Sequence, residues 1–275
     1  MKRILTKLFF IALIFLFTNT TYALKVRDLQ NPQSIIIDPI TGIYYISGYS
    51  DSTGFIWQVN PNGKRTTFIE GGKKGVALNS PKGLAIFSDQ LYVADGKSIR
   101  RFDKTTGASL GIIDLLGING NNLQRLAFSN DGQLFITDEP RNSIYKIDIH
   151  NAFKVSILIK SAKLSNPKGI VFDVARNQLI VSSKNHILSV SMDGKIIPII
   201  KRTFQALSGV CWDKQGNLLV SDQGAGKIYR IRNFSLVEIV QGNMIDPADI
   251  SFDYAGNQIL IPSTKGKLIF SLHLK

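Results

Sequence analysis

The sequence predicts an all-β fold, a six-bladed β-propeller of four-stranded blades. The N-terminal strand completes the last blade and closes the ring. Three observations carry this. A phrase recurs six times along the 275 residues: a turn residue, three apolar positions, a polar turn, a second apolar strand and a third strand. Its last copies keep register, with Asp173, Asp213 and Asp253 spaced 40 apart. The strand count is one short at the C-terminus, and a spare apolar segment stands at the N-terminus. A period of about 40 residues made only of short strands is the signature of propeller blades.

The first strands begin at Ser34-Ile35-Ile36-Ile37, Gly83-Leu84-Ala85-Ile86, Arg125-Leu126-Ala127-Phe128, Gly169-Ile170-Val171-Phe172, Gly209-Val210-Cys211-Trp212 and Asp249-Ile250-Ser251-Phe252. Second strands follow at 43–47, 91–94, 134–137, 179–182, 218–221 and 259–261. Third strands are expected at 55–60, 98–103, 143–148, 186–191, 227–232 and 267–272. They alternate, as in Ile144-Tyr145-Lys146-Ile147, which fits one less buried face. Fourth strands are expected at 66–70, 108–115, 154–160, 196–201 and 236–240, five for six blades. The chain ends directly after the third strand of blade six, where an open edge would be a liability. Leu24–Leu29 therefore supply that blade's outer strand.

No linker or low-complexity tract divides residues 24–275, so they read as one domain. Residues 1–23 read as a secretory signal. Lys2, Arg3 and Lys7 precede an apolar run, Leu8–Phe17, too short to span a bilayer comfortably. Thr21-Tyr22-Ala23 places small residues for cleavage after Ala23. The expected protein is exported, periplasmic or secreted, monomeric, and without a stable membrane span once cleaved; an uncleaved anchor is the other reading. Cys211 has no second cysteine to pair with and reads as a buried apolar-like thiol.

The formal charge is +13, or +10 without residues 1–23. A Lys-rich set spread through the chain carries the excess: Lys73, Lys74, Lys160, Lys163, Lys168, Lys201, Arg202, Lys265 and Lys267 among them. Such a surface is either simply solvated or suited to anionic glycans, lipid headgroups or cell-wall polymers. No nucleic-acid-binding motif is present.

The repeat phrases also carry a family resemblance. Asn166-Pro167-Lys168-Gly169-Ile170-Val171-Phe172-Asp173, Leu134-Phe135-Ile136-Thr137-Asp138-Glu139-Pro140-Arg141-Asn142-Ser143-Ile144-Tyr145 and Leu218-Leu219-Val220-Ser221-Asp222 resemble NHL-type repeats. The resemblance spans residues 24–275 and covers the six-bladed superfamily that includes NHL-repeat proteins and the regucalcin/gluconolactonase family. It implies the fold. For the gluconolactonase-like branch it also implies a divalent metal at the channel mouth, held by a Glu, Asn residues and an Asp where innermost strands begin.

The residues at those positions do not follow that pattern. They are Gln33, Lys82, Gln124, Lys168, Ser208 and Ala248, followed by Ser34, Gly83, Arg125, Gly169, Gly209 and Asp249. Asp249 is their single carboxylate, beside Lys82, Arg125 and Lys168, a poor set for a hard cation. His150, His186 and His273 lie in or just after third strands without zinc spacing. No G-x-S-x-G elbow or P-loop occurs. Asp95, Asp138 and Asp222, which end second strands, read as caps of the turns that follow them. Gln33, Lys82, Gln124, Arg125, Lys168, Ser208 and Asp249 are the candidate ligand-binding residues, suited to an anionic or polyhydroxylated molecule. The lysines could equally be soluble turn residues.

Two functions follow. The first is an exported binding or scaffold module without catalysis or cofactor, for a partner protein or an anionic small ligand. The second is a divergent metal-dependent lactonase or hydrolase of the gluconolactonase-like branch, for which Ca²⁺ is a possible metal.

Overall fold

The structure, a computed structural model, describes residues 24–73 and 75–274; the expected signal segment and Lys74 lie outside the described residues. No helix among the described residues is long and apolar enough to cross a membrane.

Six four-stranded antiparallel sheets stand in a ring. Blade one runs Pro32–Ile37, Tyr44–Ser50, Thr53–Val59 and Arg65–Glu70 from the inside outward. Blade two follows with Pro81–Phe87, Gln90–Asp95, Ser98–Asp103 and Ser109–Asp114. Blade three is Leu123–Phe128, Gln133–Asp138, Ser143–Asp148 and Lys154–Lys160. Blade four is Ile170–Asp173, Gln178–Ser182, Ile187–Ser191 and Ile196–Pro198. Blade five is Leu207–Trp212, Leu218–Asp222, Lys227–Arg232 and Leu236–Gln241. Blade six combines Ser251–Asp253, Gln258–Ser263 and Leu268–His273 with Lys25–Val26. Each innermost strand touches the next, and the sixth touches the first.

The burial of each strand explains its sequence. Second strands lie between two neighbours in their sheet and are covered on both faces by adjacent blades. Leu134–Asp138 is wholly buried, which requires the continuous apolar run seen in the sequence. The outermost Lys154–Lys160 alternates toward solvent. The core therefore lies between blades. One cluster joins Tyr92, Ala94 and Ile99 of blade two to Leu126, Leu134 and Tyr145 of blade three.

The ring closes as the strand count requires, by a shorter strand than expected. Lys25 and Val26 pair with Phe270 and Ile269. Asp28 takes a positive φ of 57°, which bends the chain out of the ladder. One more bond follows, as the Leu29 N–H donates to the Lys267 carbonyl at 3.0 Å. Leu24, Val26 and Leu29 pack with Leu260 and Ile269 of blade six and with Ile35, Ile46 and Trp57 of blade one. The fourth strand of blade four is also shorter than residues 196–201, ending at Pro198, which has no N–H to continue a ladder.

Candidate functional site

The innermost strands all begin on one face of the ring, and the residues at their starts line a cavity of about 200 Å³ there. Buried hydroxyls in four of the blades brace this rim. The Thr137 Oγ1 accepts from the Arg125 N–H of its own blade at 3.2 Å and donates to the Lys168 carbonyl of the next at 2.6 Å. Ser182 repeats this with the Gly169 N–H and the Ser208 carbonyl, and Ser221 with the Gly209 N–H and the Ala248 carbonyl. Ser47 donates to the Lys82 carbonyl at 2.5 Å. The small residue in the middle strand thus positions the side chain presented by the next blade. Its sequence signal is a Ser or Thr inside an otherwise apolar strand. Thr137→Val, which keeps the shape and removes both bonds, is expected to lower unfolding stability by about 1–3 kcal/mol in a urea titration; an unchanged midpoint would show that the hydroxyl holds nothing.

Glycine allows the blades to approach. A Cβ on Gly209 would stand 2.3 Å from the Ile250 N, and one on Gly83 2.3 Å from the Gln124 O. The Gly before the apolar run is therefore a packing requirement wherever the next blade comes this close.

The second-strand aspartates have a different task from the expected one. Asp138 accepts from the N–H groups of Asn121 and Asn122, Asp95 from those of Asn79 and Ser80, and Asp222 from those of Gln205 and Ala206. They hold the loop that leads into the innermost strand, some sixteen residues upstream; Asp222 alone of the three also accepts from its following turn, at Ala225. The carboxylate lies buried beside the returning loop, where backbone donors would otherwise go unpaired.

All seven residues singled out from the sequence, Gln33, Lys82, Gln124, Arg125, Lys168, Ser208 and Asp249, line the rim cavity. Glu139, Gln223 and Thr264 line it too and were not foreseen. They sit in turns after second strands, one rung behind the positions that the repeat alignment marked. Glu139 changes the charge balance, because the rim holds two carboxylates beside its three cations, not Asp249 alone.

Each carboxylate is already engaged. Arg125 Nη1 lies directly against Asp249 Oδ2 and donates to Ser34 Oγ at 2.8 Å. Burial pulls the Arg125 guanidinium down to about 9. Lys168 Nζ stands 3.7 Å from Glu139 Oε1, and Gln124 Nε2 donates to Glu139 Oε2 at 3.0 Å. Lys82 Nζ donates to the neutral Asn122 Oδ1 at 2.7 Å and has no ion-pair partner among the described residues. Burial lowers the Lys82 pKa, with Lys168 adding to the fall and Glu139 opposing it.

This donor set does not suit a divalent cation. Its two carboxylates are held by cations, and no three acidic, His or Cys side chains come together as metal ligands among the described residues.

The other mouth of the channel is chemically distinct. A cavity of about 510 Å³ there is lined by apolar side chains, including Ile36, Phe87, Val171, Trp212 and Phe252. Cys211 borders it, and burial pushes its thiol well above the usual range, so it is a poor nucleophile.

No protein-family model and no curated protein matches the sequence. Solved structures match throughout the ring. The chain is similar to virginiamycin B lyase from Staphylococcus aureus at 16% identity and a TM-score of 0.65, covering 91% of this chain and 98% of that one. It is similar to a calcium-binding protein, regucalcin, from Agrobacterium tumefaciens at 17% identity and a TM-score of 0.68, covering 91% and 93%. A putative gluconolactonase matches at 12% identity and a TM-score of 0.71, covering 91% of each chain. At these identities the likeness establishes the six-bladed fold, and the residues of the site carry the functional argument.

Proposed function

We propose that this protein is an exported, non-catalytic binding module whose channel mouth takes an anionic, polyhydroxylated small ligand. One observation carries the reading: Lys82 faces the cavity with a neutral partner, while the other two cations already have carboxylates. A single uncompensated, half-buried cation favours a ligand with one negative group. Gln33, Gln124, Gln223, Ser208 and Thr264 surround it with amides and hydroxyls that match sugar hydroxyls. Export rests on the charged start, short apolar run and small-residue site of residues 1–23.

Calorimetric titration with galacturonate, against neutral galactose, tests this. Galacturonate is expected to bind and galactose to bind far more weakly. Lys82→Met is expected to weaken galacturonate by about 10–100-fold, the worth of one charge-assisted hydrogen bond. Tight Ca²⁺ binding with lactone hydrolysis that requires Glu139 would instead establish the metal-dependent hydrolase.

A further inference from the structure

We propose that the rim face carries a second, extended anion-binding surface that holds a linear anionic polysaccharide, with one sugar of the polymer seated in the channel mouth. It rests on the reading of that mouth as an anion site. Five exposed cations, Lys160 at the end of the strand Lys154–Lys160 and Lys163, Lys184, Lys201 and Arg202 on three loops, lie on blades three to five. Hydrogen bonds stitch those loops together. The Lys184 N–H donates to the Ser165 carbonyl at 2.8 Å. The Phe204 N–H donates to the Asn185 carbonyl, and the Leu207 N–H to the Lys184 carbonyl at 2.9 Å. The cations therefore form one arc on a braced surface. Its inner end runs directly into the cavity, because Lys168 follows the first of these loops and lines the mouth.

The acids of the same face are already engaged: Asp138 and Asp222 are buried and accept from backbone N–H groups, and Glu139 faces Lys168. Between residues 140 and 221 the acids are Asp148, Asp173, Asp193 and Asp213, and each lies at the strand ends of the opposite face. None of the five arc cations has an ion-pair partner among the described residues. Clustered like charge of this kind raises the local concentration of a polyanion and is relieved by binding one. A solvated basic face has its signs interspersed; this arc separates them.

The neighbouring chemistry selects the polymer. Ser161, Ser165, Asn166, Asn185 and Thr203 offer hydroxyls and amides between the charges. Single-stranded nucleic acid would need exposed aromatic rings for stacking. The ring on these loops, Phe204, is buried, and Arg202 lies over it and over Tyr229 at 5.7 and 5.0 Å. Sugars bearing carboxylates fit lysines spaced along a polar track.

The test compares polygalacturonate, monomeric galacturonate and a single-stranded DNA of matched charge, on the wild type and on the K160S/K184S/K201S variant. Its substitutions are exposed, and a thermal melt verifies folding. Polygalacturonate is expected to bind the wild type at least about ten-fold tighter per site than the monomer, with steep salt dependence. The variant is expected to lose that advantage while its galacturonate affinity stays unchanged. If the monomer binds and the polymer gains nothing, or if the variant binds polymer as tightly as the wild type, the arc is not a binding surface and the mouth reading stands. If DNA binds more tightly than polygalacturonate, the partner is nucleic acid and the proposal is overturned. If the polymer binds through the arc while the monomer fails to bind and Lys82→Met has no effect, seating in the mouth is overturned together with the proposed function.

Discussion

Removing residues 24–29 is expected to lower the melting temperature by more than about 10 °C, at about 2–4 °C per kcal/mol for a domain of this size. The segment carries Leu24, Val26 and Leu29 into the cluster between blades six and one, the joint where the chain's two ends meet. Each is buried, Leu29 completely. Burying such a side chain is worth about 1.5–3 kcal/mol, so three of them outweigh any single core substitution. The deletion also bares Leu268–His273 as an edge strand, which invites pairing between molecules. Leu29→Ala is the milder version, with an expected loss of about 2–5 kcal/mol. Circular dichroism melts and light scattering read both effects. A melt unchanged by the deletion would contradict closure by this segment.

Asp249→Ala is expected to destabilise the protein by about 3–5 kcal/mol, although it deletes only a small side chain. It strands the Arg125 guanidinium, whose side chain is 12% exposed and whose charge burial already disfavours. The paired change Arg125→Met with Asp249→Leu removes both charges and is expected to recover most of the loss, since apolar side chains fill the same space without desolvated charge. Denaturant titration of the single and double variants gives the coupling. If the single variant is as stable as the wild type, the pair is not buried in solution. The pair sits in the rim cavity, so its charges are structural as well as electrostatic, and Lys82 and Lys168 are better targets for probing ligand binding.

The sequence determined the architecture because each blade repeats a local pattern. Apolar runs bounded by turn residues at a constant spacing fix strand, register and blade, and the missing sixth outer strand requires the N-terminus to supply it. The rim positions were legible for the same reason, since a repeat alignment marks which residue of each copy begins the innermost strand. Glu139, Gln223 and Thr264 were not legible in this way. They share one repeat position, directly after the second strand, in turns 139–142, 223–226 and 264–267, but only the folded ring brings that position over the channel mouth. The aspartates at second-strand ends were legible as caps, but their partners were not, because Asp138 reaches Asn121 across the sheet and not along the chain. Charge followed the same division. The sequence showed a lysine excess scattered along the chain. The ring gathered Lys160, Lys184 and Lys201 onto one face and sent Asp148, Asp173, Asp193 and Asp213 to the other, because successive antiparallel strands end on alternate faces. Sequence determines which side chains exist and which strand each joins. Only the closed ring decides which charges meet, since electrostatic energy depends on separation in space and not on separation along the chain.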